Sequence, residues 1–539
     1  MSDAGDPFDY VVVGAGSAGC VVASRLSEDP ATRVLLLEAG PRDTSPWIHL
    51  PVGYYRTMFD PRVAWSFDTE PDPGLNGRTL RWPRGRVVGG SSSINGLAWV
   101  RGQPEDYDHW RQLGNEGWSF EDVLPCFKRA ECYAHGDPAL RGRDGPLGIA
   151  PSIYRSELMD AFVEAAKQAG LPENPDYNGA TQEGVAYFQV TIRNGLRQSA
   201  ATAYLRPARR RPNLELRTGA LTLRLLLDGR RVTGVEYRRD GAVERVTARR
   251  EVVLSAGAIG SPHLLLLSGI GPGEHLRKVG VEVRHHLPGV GQGLQDHFQA
   301  RAVYRSRLPV TINDATRTLW RKGLIGLQWA LTRKGPLTVA AGVVALFART
   351  RPEVATPDVQ FHVIPFSADR PGQPLHAFSG YTISVCQLRP ESRGSLCLRD
   401  ADPATPPVIR PNYLATETDR RTMVEALKLA RRIMSEPVMA RYREAEVFPG
   451  PEVASDAQLL DYVRNTGTTI FHPSCTCRMG PEGDAGAVVD SRLRVRGLAG
   501  LRVADASIMP AVVSGNTNAP TIMIGEKGAD MIRADARAD

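Results

Sequence analysis

The fold is decided by residues 8–38, which read FDYVVVGAGSAGCVVASRLSEDPATRVLLLE. The apolar run Phe8–Val13 predicts a buried strand, and apolar residues after the glycines recur with the period of a helix. Residues 33–38 predict a second buried strand, which ends in a carboxylate. Strand, glycine-rich turn, helix, strand and acid, in this order, predict the βαβ unit of a dinucleotide-binding fold.

The glycines and the acid of this unit have separate physical roles. Gly14 permits the tight turn, Gly16 lets the backbone approach a pyrophosphate, and Gly19 lets the helix pack closely on the strand. The helix amino end supplies amide donors and a positive dipole for the phosphates. Glu38 can accept hydrogen bonds from ribose hydroxyls and would repel a 2′-phosphate. The motif leaves NAD and FAD open, although its place at the start of a long chain favours FAD.

Two further segments resemble parts of a ligand-binding fold. Residues 85–96 are rich in glycine and serine but lack the lysine and helix of a P-loop, so nucleotide hydrolysis is not expected. Residues 251–257 predict another strand, and the leucine-rich run after it predicts a buried helix. Between these segments, residues 214–237 alternate around Asp228-Gly229, which predicts a β-hairpin or meander.

The middle of the chain, roughly residues 300–460, has a different sequence pattern from the amino-terminal part. Strand-like pieces at 358–364 and 381–385 are separated by prolines, and residues 417–435 predict a helix. This part carries no nucleotide motif, so we interpret it as a sheet-based substrate-binding region. A helix over residues 521–533 is expected to close the chain.

Length and composition limit the class of protein. A chain of 539 residues is too long for one simple core and predicts several domains or two interleaved ones. Hydrophobic residues make up 42% and charged residues 23%, which excludes wholesale disorder. No apolar run approaches a membrane span, and the amino terminus shows no secretory signal. We expect a cytoplasmic protein, with peripheral attachment to the inner membrane left open.

The charges and the cysteines predict neither a nucleic-acid site nor a metal site. The formal net charge is +7, but no basic helix or RNA motif accompanies it, so no nucleic-acid partner is expected. Seven scattered cysteines fit a reducing compartment better than a disulfide scaffold. Cys475 and Cys477 lie near His472, but the spacing matches no standard zinc pattern, and no metal is expected.

Two residues near the carboxyl terminus are candidates for catalysis. Oxidation of an alcohol by a flavin needs a proton acceptor of near-neutral pKa, for which histidine is suited, and a donor that holds the substrate oxygen. His472 and Asn516 lie in separate glycine-rich segments, and two such loops can meet on one scaffold. From the residues alone, a structural histidine remains the commoner explanation of His472.

A set of motifs in a fixed order resembles the glucose–methanol–choline (GMC) oxidoreductase family, in its choline dehydrogenase-like and alcohol dehydrogenase branch. After GAGSAG come GRVVGGSSSINGLAWVRGQPEDYD at residues 85–108, GAIGSPHLLLLSGIG at 257–271 and VGQGLQDH at 290–297. RPESRG, FHPSCTCRMG and RVADASIMP followed by GNTNAP complete the series. The resemblance covers nearly the whole length.

The resemblance implies a fold, a cofactor and a set of contacts. The implied fold is α/β, a Rossmann-type FAD-binding domain (1–155, 205–300 and 465–539) interleaved with a sheet-based α+β substrate-binding domain (156–204 and 301–464). The implied activity is hydride transfer from an alcohol to flavin N5, with His472 as the base and Asn516 as the second catalytic residue. The expected FAD-binding residues are Gly14, Gly16, Ser17, Ala18, Gly19, Glu38, Ala39, Val88, Asn95, Gly96, Leu97, Ala98, Leu221, Asp505, Ala506, Asn516 and Thr517.

Three positions depart from the pattern of other family members. Ile94 stands where choline oxidase attaches its flavin to a histidine, so FAD is expected to be non-covalent. Gln299 stands where those members, as we align them, have a carboxylate that suits a quaternary ammonium. Asn516 replaces a second histidine, which is common in the choline and alcohol dehydrogenase branch.

Gln299 and the composition of residues 315–352 favour an uncharged primary alcohol as substrate, oxidised to the aldehyde. The acid-free stretch 315–352 is rich in Leu, Val, Ala and Trp, and we expect it to contribute an apolar pocket or, alternatively, only a buried helix and core strand. A choline dehydrogenase or oxidase, a lyase or photoenzyme of the same fold, an NAD-linked dehydrogenase and a non-enzymatic binding protein remain alternatives. The electron acceptor (oxygen, a quinone or another carrier) and a possible homodimer stay open.

Overall fold

The structure is a computed structural model that describes residues 8–370 and 372–538. The absence of a secretory signal was read partly from residues 1–7, which lie outside the described residues, as do the outermost ends of the predicted FAD domain. The predicted βαβ unit is present as strand Phe8–Val13, helix Ser17–Leu26 and strand Val34–Glu38. Both strands are buried throughout, as is typical of central strands in a parallel sheet covered on both faces.

The first sheet has a parallel core extended by an antiparallel hairpin. Its order is Leu214–Thr218, Val34–Glu38, Phe8–Val13, Ala242–Leu254, Arg231–Arg239 and Leu221–Asp228, with Leu501–Val503 also paired to Ala242–Leu254. The carboxyl ends of the parallel strands meet at one edge, where ligands of such sheets bind. This edge therefore positions the amino ends of the helices that follow the strands.

One strand of this region differs from the sequence prediction. Residues 214–237 were expected to form one hairpin or meander, but only Leu221–Asp228 and Arg231–Arg239 form it. Leu214–Thr218 instead pairs in parallel with Val34–Glu38. Apolar alternation has the same period of two in both kinds of sheet, so it could not distinguish the partner or its direction.

The second sheet is antiparallel. Its order is Arg443–Phe448, Phe298–Ser306, Gly380–Gln387, Val359–Ile364, Val344–Ala348 and Gly184–Tyr187, with Thr468–Thr469 paired to Phe298–Ser306. The predicted helix Glu417–Ser435 is present and packs against Gly380–Gln387. The chain enters both sheets more than once, which confirms the interleaved α/β architecture. The boundaries between the two domains stay a prediction.

The remaining elements surround these sheets. Their helices are Pro104–Gln112, Phe120–Ala130, Glu157–Gln168, Gly257–Leu267, Gly273–Lys278, Leu319–Thr332, Asp456–Thr466 and Asn518–Ala538. Smaller sheets are formed by Ala64–Asp68 with Arg81–Gly85, by Glu131–Tyr133 with Leu147–Pro151 and Gln189–Val190, and by Gln292–Leu294 with Gly394–Cys397 and Val408–Arg410. The last helix extends beyond the predicted 521–533 at both ends.

The helix Leu319–Thr332 contradicts both expectations for the acid-free stretch. None of its residues is buried and none lines the cleft described below, so it is neither a pocket wall nor a core helix. Of residues 339–347, Ala341 alone lines that cleft, while the strand Val344–Ala348 belongs to the core. The apolar composition of this helix predicted burial, but its apolar side chains face the solvent. Composition alone does not show which way a side chain faces.

Candidate active site and cofactor cleft

A deep cleft separates the carboxyl edge of the first sheet from one face of the second sheet. It brings together most of the residues predicted from the sequence. Those that line it are Gly14, Gly16, Ser17, Ala18, Glu38, Ala39, Asn95, Gly96, Leu97, Ala98, Leu221, His472, Asp505, Ala506, Asn516 and Thr517. Gly14 and Thr517, which are 503 positions apart in the sequence, thus share one cavity, although their role as FAD contacts stays a prediction.

Two of the expected FAD-binding residues, Gly19 and Val88, lie beneath the surface of the cleft. A Cβ added to Gly19 would stand 1.8 Å from the carbonyl oxygen of Gly14, so this glycine packs the helix against the turn. Val88 is buried in the core, where its amide donates to the carbonyl of Pro41 at 3.0 Å. The structure does not bring either residue to the surface of the cleft.

The glycines around the carboxyl edge form a cradle that fits a dinucleotide. Gly14 has a φ of +100°, which glycine alone adopts without strain. A Cβ added to Gly257 would meet nothing within 4 Å, and Gly257 lines the cleft, so the space beside it is open to a ligand. The helix that begins at Ser17 has no side-chain cap, so its first amides are available to a pyrophosphate.

Glu38 closes the cradle on the side where a ribose is expected. Its carboxylate accepts from the amides of Ala15 at 3.0 Å and Gly40 at 2.8 Å, and burial raises its pKa to about 7. The side chain is 6% exposed and lines the cleft. The two amides fix the carboxylate in place, and its free lone pairs can accept from ribose hydroxyls as predicted.

Asp505 joins the loop after strand Leu501–Val503 to the start of a helix. Its carboxylate accepts from the amide of Gly257 at 2.9 Å, the hydroxyl of Ser261 at 2.5 Å and the amide of Ser507 at 2.8 Å. Burial raises its pKa, while these donors oppose the rise. Asp505 therefore holds two glycine-rich segments at the cleft in a fixed relation.

His472 lies at the centre of a hydrogen-bonded chain of side chains. Its Nδ1 lies 2.9 Å from Nδ1 of His297, whose Nε2 lies 2.9 Å from the carbonyl oxygen of Leu388. A carbonyl only accepts, so Nε2 of His297 carries the proton and Nδ1 of the neutral ring accepts. His472 must then donate from Nδ1, which leaves a lone pair on its Nε2.

Asn516 faces this lone pair. Its Nδ2 lies 3.3 Å from Nε2 of His472, and its Oδ1 accepts from Nε2 of Gln360 at 3.1 Å. With Gln360 as the donor, the oxygen of the Asn516 amide faces Gln360 and the amide nitrogen points to His472. The structure therefore places an unprotonated imidazole nitrogen and an amide donor side by side, at the same wall of the cleft.

The surroundings of His472 keep its ring neutral. Burial lowers its pKa well below the ordinary value, and His297, His362 and the Arg84 guanidinium act in the same direction. Its backbone amide donates to Oδ1 of Asp296 at 2.7 Å, which anchors the loop. The neutral, basic form of His472 is thus the one present at pH 7.

The second sheet contributes cleft residues that the sequence reasoning missed. Among them are Arg301, His362, Thr382 and Ser384. Tyr54 and Tyr55 of helix Tyr54–Thr57, and Trp65 and Phe67 of strand Ala64–Asp68, also line the cleft and were missed. Gln299, singled out from the sequence, also lines the cleft. Its strand alternates faces, so Arg301, two residues later, follows from Gln299 once the inward face is known. Nothing in the sequence showed which face of the other strands turned inward.

The family assignment rests on this geometry together with sequence comparison. The sequence matches the GMC oxidoreductase family over residues 8–299 and 390–525, which is most of the chain. The chain belongs to the GMC oxidoreductase family. As a GMC oxidoreductase it is an FAD-dependent enzyme that acts on CH–OH groups, which confirms the resemblance, the fold class and the cofactor predicted from the motifs.

Individual GMC relatives share nearly the whole length. Mitochondrial choline dehydrogenase of Homo sapiens is 46% identical over 539 residues, covering 99% of this chain and 91% of that protein. An alcohol dehydrogenase (acceptor) of Pseudomonas putida is 43% identical over 529 residues, covering 97% and 95%. The crystal structure of pyridoxine 4-oxidase from Mesorbium loti superimposes with a TM-score of 0.88 at 34% identity, covering 97% and 98%.

The GMC cleft has no covalent attachment point at the expected place. Ile94 lines the cleft and is 4% exposed, and its hydrocarbon side chain cannot form a bond to a flavin. FAD is therefore held by the cradle alone at this position, as the sequence predicted.

Proposed function

We propose that this GMC oxidoreductase oxidises a primary alcohol that carries no cationic group to the aldehyde, with His472 as the base. The observation that carries the proposal is the hydrogen-bonded chain that leaves Nε2 of His472 unprotonated beside Nδ2 of Asn516. These are the two groups that an alcohol oxygen needs, a proton acceptor and a hydrogen-bond donor.

His472 and Asn516 would act on the same substrate oxygen. The amide of Asn516 donates to the oxygen and orients it, and Nε2 of His472 accepts the hydroxyl proton. His297 holds the His472 ring through Nδ1, so the ring cannot turn its protonated nitrogen toward the substrate. Bound FAD supplies the acceptor for the two electrons and the hydrogen that leave the carbinol carbon. The imidazole rings of His297 and His472 are both buried, which keeps bulk water from the reacting groups.

The charges of the cleft argue against choline as the substrate. Among the described residues that line the cleft, the only carboxylates are Glu38 and Asp505, both at the cofactor cradle. The substrate side instead contains the guanidinium groups of Arg84 and Arg301, with Gln299 beside them. A quaternary ammonium would lose water next to two cations without gaining an anion. The retained His472–Asn516 pair also supports oxidation over a lyase or photoenzyme reaction.

An anaerobic comparison of alcohols tests the proposed function. We expect benzyl alcohol or a medium-chain primary alcohol to bleach the bound flavin, and kcat/KM to exceed that of choline by at least about tenfold, or ~1.4 kcal/mol of like-charge repulsion. The measurement is stopped-flow absorbance of the flavin, followed by turnover with one dye acceptor. If no alcohol bleaches the flavin, the activity is wrong; a preference for choline would contradict the substrate class alone.

We also propose that the exposed helix Leu319–Thr332 attaches the protein to a membrane surface. No helix within residues 8–370 and 372–538 is long and apolar enough to cross a bilayer. The exposed helix has a different character, since apolar side chains form one stripe on it and point into solvent. They are Leu319, Trp320, Leu324, Leu327 and Leu331, exposed by 84%, 63%, 54%, 55% and 76%.

The charges around this stripe favour anionic lipid as its partner. Five exposed basic residues lie on the helix or beside its ends, at Arg317, Arg321, Lys322, Arg333 and Lys334. The stretch 315–352 contains no acidic residue. Leucine and tryptophan on one face with arginine and lysine around them is the composition of helices that lie in a membrane interface. On the other side of the helix, Nε1 of Trp329 donates to the carbonyl oxygen of Gly195 at 3.1 Å, which attaches the helix to the rest of the protein.

Sedimentation with lipid vesicles tests this attachment. We expect the protein to sediment with vesicles that contain phosphatidylglycerol, more weakly with pure phosphatidylcholine, and less as salt is raised. The double variant Leu327→Glu/Leu331→Glu should bind at least about tenfold more weakly, because two charges replace buried hydrocarbon. Leu113→Glu, at a 42% exposed leucine elsewhere, is the matched control.

Formation of a homodimer, which the sequence left open, is a competing explanation: the exposed apolar stripe could pack against a second copy of the chain. Light scattering over a concentration series distinguishes the two. A dimer that is lost in the double variant, together with no vesicle binding by the unaltered protein, would assign the helix to self-association and overturn the membrane proposal.

A further inference from the structure

Arg301 is a cation in the cleft that has no counter-ion among residues 8–370 and 372–538. It lies on strand Phe298–Ser306, and its side chain lines the cleft on the side of the second sheet. No carboxylate in the described part of the chain forms an ion pair with it, and its Nε has no hydrogen-bond partner there. The charged or ionisable groups that face it are the phenols of Tyr54, Tyr55 and Tyr462. Burial lowers the pKa of Arg301, yet a guanidinium stays protonated at neutral pH.

Two more orphaned polar groups share a row with Arg301. The strand register pairs Arg301 with Ser384, and Ser384 with His362 on the next strand. Oγ of Ser384 and Nδ1 of His362 have no hydrogen-bond partner among the described residues. Ser384 is 1% exposed and His362 is 6% exposed, and both line the cleft. Three polar side chains, each with one unsatisfied atom, thus lie side by side on one wall.

Such a row is unfavourable unless a ligand completes it. An unpaired buried polar group costs about 1–3 kcal/mol and a buried unpaired charge costs more. The fork of a guanidinium matches a carboxylate, and a hydroxyl beside it can donate a further hydrogen bond. Natural proteins keep such sites where binding requires them. Arg301 and Ser384 therefore have the chemistry of a site for an oxyanion.

The spacing of the strands in the second sheet gives the distance from Arg301 to the catalytic pair His472 and Asn516. His362 neighbours His472, and Gln360, two residues before it, donates to Asn516 at 3.1 Å. Arg301 lies two strands away from His362, which is roughly 10 Å across the sheet. A substrate that reaches both places must carry its hydroxyl and its anionic group at opposite ends.

We propose that Arg301 and Ser384 bind the carboxylate of a hydroxy-acid substrate, whose distant primary hydroxyl lies between His472 and Asn516. This inference rests on the proposed function for the hydroxyl end, and it replaces the uncharged alcohol expected from the sequence with an anionic one. An extended ω-hydroxy acid or a para-(hydroxymethyl)benzoate has the required arrangement. His362 lies between the two ends and can donate to the carboxylate or pack against the chain.

The test compares two alcohols that differ only in the carboxylate. With the FAD-loaded enzyme under anaerobic conditions, para-(hydroxymethyl)benzoate should reduce the flavin with a kcat/KM about 10- to 100-fold above that of benzyl alcohol. Arg301→Gln should remove this advantage and bring the ratio of the two kcat/KM values to about one. Arg301→Lys should restore part of it, because it keeps the charge but not the fork. Arg305→Gln, on the same strand but outside the cleft, is the matched control.

A binding measurement separates this proposal from the proposed function. The non-oxidisable anion para-methylbenzoate should perturb the flavin absorbance of the unaltered enzyme and of Arg305→Gln, and bind about 10- to 100-fold more weakly to Arg301→Gln. If no alcohol reduces the flavin but this binding difference holds, the function fails and the anion site stands. Equal kcat/KM for both alcohols, together with unchanged anion binding in Arg301→Gln, would overturn the anion site. The flavin-to-protein absorbance ratio verifies that each variant retains FAD.

Discussion

Replacement of His472 by alanine is expected to slow flavin reduction by the alcohol by about 10²-fold or more, the usual contribution of a positioned general base. The physical reason is the loss of the imidazole nitrogen beside Asn516 that accepts the hydroxyl proton. His472 does not belong to the glycine cradle, so FAD should stay bound. The measurement is the rate of flavin bleaching under anaerobic conditions at saturating alcohol.

Controls for this variant must show that the loss is chemical. His376→Ala removes a histidine that pairs with Asp369 at 2.9 Å and does not line the cleft, so its rate should be unchanged. The flavin spectrum and the flavin-to-protein ratio should match the unaltered enzyme in both variants. A near-normal rate of bleaching in His472→Ala would show that another group accepts the proton.

Replacement of Glu131 by alanine is expected to destabilise the protein by about 3–5 kcal/mol, the cost of removing one partner from a buried ion pair. Glu131 is fully buried and receives Nη2 of Arg101 at 2.6 Å and Nε of Arg141 at 2.7 Å. Nε1 of Trp99 also donates to it at 2.8 Å. Without the carboxylate, the Arg101 guanidinium would stay buried without an ion-pair partner, and Arg141 would keep only Asp176. Thermal and denaturant unfolding measure the loss.

The Glu131→Ala substitution should also weaken the binding of FAD. Trp99 directly follows residues 95–98, which line the cleft, and Arg101 is two positions after Trp99. Loosening these two side chains should therefore also lower the FAD content. Asp68→Ala is the control, because its pair with Arg81 is more than half exposed on both sides and such pairs contribute about 0–1 kcal/mol. Equal stability of the two variants would mean that Glu131 is not the anchor of this segment.

The cofactor-binding half of the protein could be predicted in detail because its signals are local. The buried strands, the glycine turn and Glu38 are consecutive in the chain, and their spacing allows few folds. The helix Glu417–Ser435 was predicted within its observed bounds for the same reason, since its periodicity is contained in one segment. The motifs also identified the family, and with it FAD and alcohol oxidation.

The substrate side could not be predicted because its signals are not local. Alternation in a strand shows that two faces differ, but which face turns toward the cleft depends on the neighbouring strands. Gln299 was identified from the sequence, whereas Arg301 on the same face was not. The apolar stretch around Leu324 was expected in the interior, and its exposure depends on where the helix rests.

The sequence by itself determined the dinucleotide-binding unit, because its residues stand at short spacings. Its motifs also carried the family resemblance, which implied the cofactor and the two candidate catalytic residues. The tertiary structure alone decided the hydrogen-bonded chain from Leu388 through His297 to His472, which selects the nitrogen that acts as base. It also decided the row from His362 to Arg301, because strand register joins residues about 60 positions apart. Such contacts arise from packing energies summed over the whole chain, and no single segment encodes them.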